Sequence, residues 1–199
     1  MSDILYTYRE KLYVNLTNRC PCACTFCIRS NGDALGSADN LWLDNEPDTR
    51  EVMAAFAQYD ITQYNEVTFC GYGEPLYALD TLTEVSDLLK KTSNIKIRVN
   101  TNGLADLIHK KRTAPLLVGY VDVISISLNA PNSRRYEELV RPVFGAESFE
   151  AMLRFAADCK QNLPDVRFSV VDVLTAKELE ECKELAQGMG IPLRVRPCE

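Results

Sequence analysis

Six apolar runs, at residues 12–17, 66–70, 95–99, 121–129, 166–173 and 193–196, each lead into a polar or glycine-bearing turn or the chain's end. The run at 121–129, Val-Asp-Val-Ile-Ser-Ile-Ser-Leu-Asn, is apolar enough for a strand buried on both faces. Helical stripes fill the gaps. Pro47-Asp48-Thr49 reads as a helix start, with Val52, Ala55, Phe56 and Tyr59 following at helical spacing. Leu82, Val85, Leu88 and Leu89 form a second stripe that ends near Lys90-Lys91, and a short piece spans 104–110. Further helices are expected at 136–140, at 148–160, and from Ala176 to about Gln187 with Gly188 as the stop. Strictly alternating strands and helices imply a parallel sheet with right-handed crossovers. Six strands are too few for a closed eight-stranded barrel. The expectation is therefore an α/β fold, a partial (β/α)6 TIM-like barrel of parallel strands, in one domain over 1–199. A flat doubly wound sheet is the alternative. Either architecture puts chemistry at the C-terminal ends of the strands.

The first run opens onto Cys20-Pro21-Cys22-Ala23-Cys24-Thr25-Phe26-Cys27. Four thiols so close together point to a metal. Cys20, Cys24 and Cys27 give C-x3-C-x2-C; Cys22, Cys24 and Cys27 give C-x-C-x2-C. Structural zinc takes four ligands, commonly as two separated pairs. No second such pair follows, and the only histidine is His109. An iron–sulfur cubane ordinarily takes four thiolates; held by three, it keeps one iron open. A zinc knuckle, or thiols simply packed in a core, are the competing readings.

Composition narrows the classes. With 46% hydrophobic and 25% charged residues, the 199-residue chain has the make-up of an ordinary globular protein. A net charge of −6 argues against a broad nucleic-acid surface. No apolar run approaches a membrane span, and the first residues carry no basic segment followed by a long apolar one, so no signal peptide is read. Eight cysteines without an export signal suggest reduced thiols and a cytoplasmic location. The long polar stretch 28–48 holds the single Trp42, which suggests that it folds back on the protein as a pinned loop or a lid.

The strand ends collect the remaining polar signals on one rim. Gly71-Tyr72-Gly73-Glu74-Pro75 follows the second strand, and Asn100-Thr101-Asn102-Gly103 follows the third. Ser127 and Asn129, two apart, end the fourth on one face. Asp172 ends the fifth, flanked by valines, where its carboxylate needs a partner such as Arg194 or Arg196, a ribose hydroxyl, or water. Cys198 follows the sixth. Cys22, Cys70 and Cys198 are extra rim thiols, whereas Cys159 and Cys182 fall in helical patterns and read as core. His109 reads as structural, and Arg134, Arg135 and Arg141 as a solvated face.

A C-x3-C-x2-C loop after a strand, with Phe26 before the last cysteine, resembles radical S-adenosylmethionine (SAM) enzymes, and the likeness runs over essentially the whole chain. More narrowly, segments 13–22, 69–75 and 124–131 resemble the TatD-associated radical SAM proteins. The resemblance implies a radical SAM core with a [4Fe–4S] cluster on Cys20, Cys24 and Cys27, and S-adenosyl-L-methionine as second cofactor. It implies SAM contacts from Phe26, from Gly71, Gly73 and Glu74 in an element similar to Gly-Gly-Glu-Pro, and from Asn100 and Asn102. Ser127, Asn129 and Asp172 complete that candidate set, with Asn102 equally readable as a turn residue. Reductive cleavage of SAM to a 5′-deoxyadenosyl radical, which abstracts hydrogen from an unidentified substrate, is the activity implied. A flavodoxin- or ferredoxin-like electron donor would be the partner. No catalytic residue is assigned. A likeness to 7-carboxy-7-deazaguanine synthases, a glycyl-radical activase, and a non-catalytic iron–sulfur or zinc module remain as other readings.

Overall fold

A computed structural model describes residues 2–198. Seven strands form one sheet whose spatial order is the chain order: β1 (Leu5–Tyr8), β2 (Lys11–Val14), β3 (Glu66–Phe69), β4 (Lys96–Thr101), β5 (Val123–Ser127), β6 (Asp165–Val171) and β7 (Leu193–Arg196). From β2 to β7 every pairing is parallel. Each crossover therefore advances by one position and never reverses. A doubly wound sheet needs a reversal, so the flat alternative is excluded and the partial TIM-like arrangement stands.

The sequence reading missed β1, which pairs antiparallel with β2, Tyr8 opposite Lys11. The two turn residues, Arg9 and Glu10, sit at φ 48° and 61°. Tight hairpins ordinarily mark this left-handed pair with Asn or Gly; here neither is present, so the signal is silent.

Six α-helices cover the sheet: α1 (Thr49–Phe56), α2 (Leu79–Thr92), α3 (Ala105–His109), α4 (Ser133–Val140), α5 (Glu147–Asn162) and α6 (Ala176–Met189). Local chemistry sets their ends. Asp48 and Glu51 form a reciprocal capping box at α1, and Thr175 and Glu178 form another at α6. Asn132 caps α4 by accepting the Arg135 N–H. α6 does not stop at Gly188. It continues to Gly190, which takes φ 61° and donates to the carbonyls of Ala186 and Gln187. Apolar faces meet in one core: Val67, Phe69, Ile97, Val99, Ile124, Ile126, Phe168 and Val170 from the strands, against Leu82, Val85, Met152 and Phe155 from the helices, most of them with no exposed surface. Cys159 and Cys182 lie in it, as expected.

The stretch 28–48 does fold back. Leu41 is fully buried, with Tyr6, Ala38 and Tyr72, in a second small core. Trp42 meets Tyr72 edge-on at 5.1 Å, and the Arg29 guanidinium lies 4.5 Å over the Trp42 ring.

Candidate functional site

The cysteine loop is held by backbone bonds to a distant part of the chain. Ala23 N–H donates to the Val140 carbonyl at 3.1 Å, Thr25 N–H to Leu139 at 2.8 Å, and Val143 N–H to Pro21 at 2.8 Å. Cys22 and Pro142 form an antiparallel bridge. The loop thus takes up two carbonyls that α4 leaves free at its C-terminus. Within it, Cys27 N–H closes onto the Cys24 carbonyl at 3.2 Å.

All four thiols are partly buried and unoxidised. Cys22 sits between two others and hydrogen-bonds to both. That bond above all brings the Cys20 thiol down to about 6, helped by the Arg29 charge and by Asn102, against the opposing effect of burial. The same neighbour lowers Cys24, while burial raises Cys27. Cys22, the donor in both bonds, is driven far up. Cys20 and Cys24 are thus biased toward the thiolate form, the form that ligates metal. Among the described residues no three thiols, carboxylates or imidazoles converge as the ligands of a single ion would. A cubane carries its thiolates on different irons, so a cluster does not require that convergence. Thiolates in a half-buried loop are the donor set such a cluster uses.

Glu74 ties three rim loops together. It is 3% exposed. One carboxylate oxygen accepts the Asn102 N–H at 2.7 Å, the other the Leu76 N–H at 3.1 Å. Its own N–H donates to the Arg19 carbonyl at 2.8 Å, next to Cys20. Asn102 continues the chain of contacts: its side-chain amide approaches Cys20 Sγ at 3.9 Å, and its carbonyl oxygen accepts the Leu104 N–H at 2.9 Å as an Asx turn. Asn102 is therefore a turn residue and a thiol neighbour at once. Burial, with the Cys20 charge adding, pushes the Glu74 carboxyl up to about 7 against the pull of the Asn102 N–H.

The glycines explain how the loops come so close. A Cβ on Gly71 would lie 2.0 Å from Asn15 Oδ1, and one on Gly73 would lie 2.1 Å from the Thr17 carbonyl. Both make room for the segment between β2 and the thiols, not for a special backbone conformation.

The other expected residues spread along the rim. Asn100 lies on β4 opposite Ser125, and Ser127 on β5 opposite Ser169. Asn129 is corrected: β5 ends at Ser127, and Asn129 turns out of the strand at φ 54°, so the two do not share a strand face. Its Oδ1 accepts the Val171 N–H at 3.3 Å, which ties the ends of β5 and β6. Asp172 lies beyond β6 and is exposed. Among the described residues it makes no ion pair with Arg194 or Arg196; its N–H donates to the Arg196 carbonyl at 2.8 Å. Phe26 packs on the core beside Cys22 and Cys24. Cys70 is partly buried at the end of β3, and Cys198 is exposed. His109 Nε2 meets the Leu76 carbonyl at 2.7 Å, a structural contact. Arg134 and Arg135 pair with Glu138 on the surface.

Several supporting residues escaped the sequence reading. Asn15 and Thr17 are fully or almost fully buried behind the thiol loop. Asn15 donates to the Leu41 carbonyl at 2.7 Å. Thr17 donates to Glu46, which holds Arg19 at 2.6 Å. Polar residues at alternate positions of an apolar run were the available signal.

The chain is thus an α/β partial barrel with a four-cysteine loop at the C-terminal side of its parallel strands and a buried carboxylate beside it. Residues 14–187 match the Radical SAM superfamily, and the chain belongs to that superfamily. A [4Fe–4S] cluster and SAM are what the family implies. Molybdenum cofactor biosynthesis protein 1 of Dictyostelium discoideum is 27% identical over 141 residues, covering 71% of this chain and 21% of that protein. The chain thus spans about a fifth of that relative's length. A radical SAM methyltransferase from Sphaerobacter thermophilus superposes with a TM-score of 0.62 at 18% identity, over 97% of this chain and 68% of the other. The structure of anSMEcpe with bound AdoMet superposes with a TM-score of 0.66 at 20% identity, over 94% and 49%. These two likenesses concern the fold.

Proposed function

We propose that this single domain carries a [4Fe–4S] cluster on Cys20, Cys24 and Cys27 and binds SAM along the rim from Gly71 to Asp172. The supporting observation is the chain of contacts from Cys20 through Asn102 to Glu74, which puts a buried carboxylate one residue away from a candidate ligand thiol. With both cofactors bound, the chemistry supplied is reductive cleavage of SAM and hydrogen abstraction from a substrate. The chain's own groups hold and orient. Gly71 and Gly73 let the backbone of the β3 loop lie against residues 15–19. Glu74, with its proton affinity near neutrality, retains free lone pairs that accept N–H donors of an amino group while its backbone bonds stay made. Asn100, Ser127 and Asn129 offer polar groups to the ribose and carboxylate, and Phe26 an apolar wall; Asp172, being exposed, serves the outer edge. The folded 28–48 stretch, with Trp42 and Arg29, shields the thiol side from water.

The likeness of residues 13–22, 69–75 and 124–131 supports placement among the TatD-associated radical SAM proteins. The electron donor is a small flavodoxin- or ferredoxin-like protein, and the setting is the cytoplasm. No helix is long and apolar enough to cross a membrane among the described residues. Anaerobic reconstitution with iron and sulfide tests the reading. It predicts a [4Fe–4S] spectrum, a SAM-induced change in the EPR signal of the reduced cluster, and 5′-deoxyadenosine on reduction. Zinc in the anaerobically purified protein, with no SAM binding, would show a non-catalytic metal module instead.

A further inference from the structure

Tyr136 lies on α4 with no exposed surface, its ring tilted against Phe149 with centroids 5.6 Å apart. Its hydroxyl is buried and meets no hydrogen-bond partner. An unpaired buried O–H costs about 1–3 kcal/mol, and phenylalanine would fill the same slot without that cost. Buried polar groups without partners call for an explanation in a bound group or a function. The surroundings supply one. α4 is the helix whose last carbonyls hold Ala23 and Thr25 of the cysteine loop. The charges acting on the Tyr136 hydroxyl are those of Cys22, Cys24, Glu74 and Cys20. Tyr136 lies one turn before those carbonyls, in the core against which Cys22 and Cys24 pack. Burial first, and then those charges, hold it well above the ordinary tyrosine range, so it is an O–H donor at neutral pH.

We propose that Tyr136 Oη donates a hydrogen bond to a sulfur of the cluster carried by the cysteine loop, positioning the cluster and raising its reduction potential. The inference rests on the radical SAM reading of the site. A donor at sulfur withdraws electron density and favours the reduced cluster; hydrogen bonds to sulfur are among the established controls of cluster potential. Tyr136 is thus a positioning residue, acting through the cluster.

The test is an EPR-monitored redox titration of the anaerobically reconstituted protein in three forms: wild type, Tyr136→Phe, and a protein with 3-fluorotyrosine at position 136. Removing the donor lowers the potential, and the more acidic fluorophenol raises it above wild type. Without the cluster, Tyr136→Phe is at least as stable as wild type, because the hydroxyl has no partner to lose. Equal potentials in all three forms, or a destabilised cluster-free Tyr136→Phe protein, overturn the proposal. A wild-type protein that takes up no [4Fe–4S] cluster overturns the radical SAM reading itself. A wild-type cluster whose potential ignores position 136 overturns only the part given to Tyr136.

Discussion

Cys24 and Glu74 carry the sharpest expectations at the level of single side chains. Cys24→Ala, reconstituted without oxygen, is expected to lose the [4Fe–4S] absorbance and to form no 5′-deoxyadenosine; retained activity would remove Cys24 as a ligand. Glu74 makes a pH prediction. Its carboxyl titrates at about 7 in the fold, against 4.5 ordinarily, chiefly through burial. Between those values the folded state holds a proton that the unfolded chain has released. Stability is thus full below 4.5 and falls as pH rises through about 7. The loss is on the order of 3 kcal/mol. Glu74→Gln removes this dependence. Urea midpoints of the cluster-free protein at pH 5 and pH 7.5 should show the variant gaining on wild type as pH rises; parallel profiles would refute the titration. The thiols and Glu74 were legible because each stands in a dense local pattern after a strand. Asn15 was not: a polar residue in an apolar run says nothing about a partner such as Leu41, which belongs to another segment.

Among the elements, the loops after β2 and β3 depend on glycine for contact. Gly73→Ala would drive a Cβ to 2.1 Å from the Thr17 carbonyl, backbone that cannot move aside cheaply. A loss of about 2 kcal/mol or more is expected, read as a lower urea midpoint and weaker SAM binding. Asp48→Ala breaks the capping box of α1. It should cost about 1 kcal/mol in the same assay and leave SAM binding intact. Helices with caps and stripes were readable because those signals are local. β1 was not, since its Arg9-Glu10 turn carries no residue that favours positive φ. Nor could the end of β5 be placed: Leu128 and Asn129 continue the apolar, polar alternation past the point where Asn129 leaves the strand.

The order β1 to β7 makes the whole molecule a single sweep in which the loops after neighbouring strands are neighbours on the rim. The alternation of runs and stripes was enough to read that architecture, because each crossover moves one step. What alternation does not carry is which distant segment braces a given loop. Any group that binds the rim of the folded state alone must raise its stability: about 2.7 kcal/mol at a concentration one hundred times Kd. Differential scanning calorimetry should thus show the clustered protein melting higher with SAM than without. Stripping the iron with a chelator should lower the midpoint and abolish the SAM effect.

The bracing of the cysteine loop by Leu139, Val140 and Val143 also sets an order of events in biosynthesis. The thiols leave the ribosome early, yet the carbonyls that fix their spacing emerge only after three more strands have been made. Iron offered to the nascent chain meets sulfurs on a slack tether. Iron offered after α4 has docked meets them at set distances.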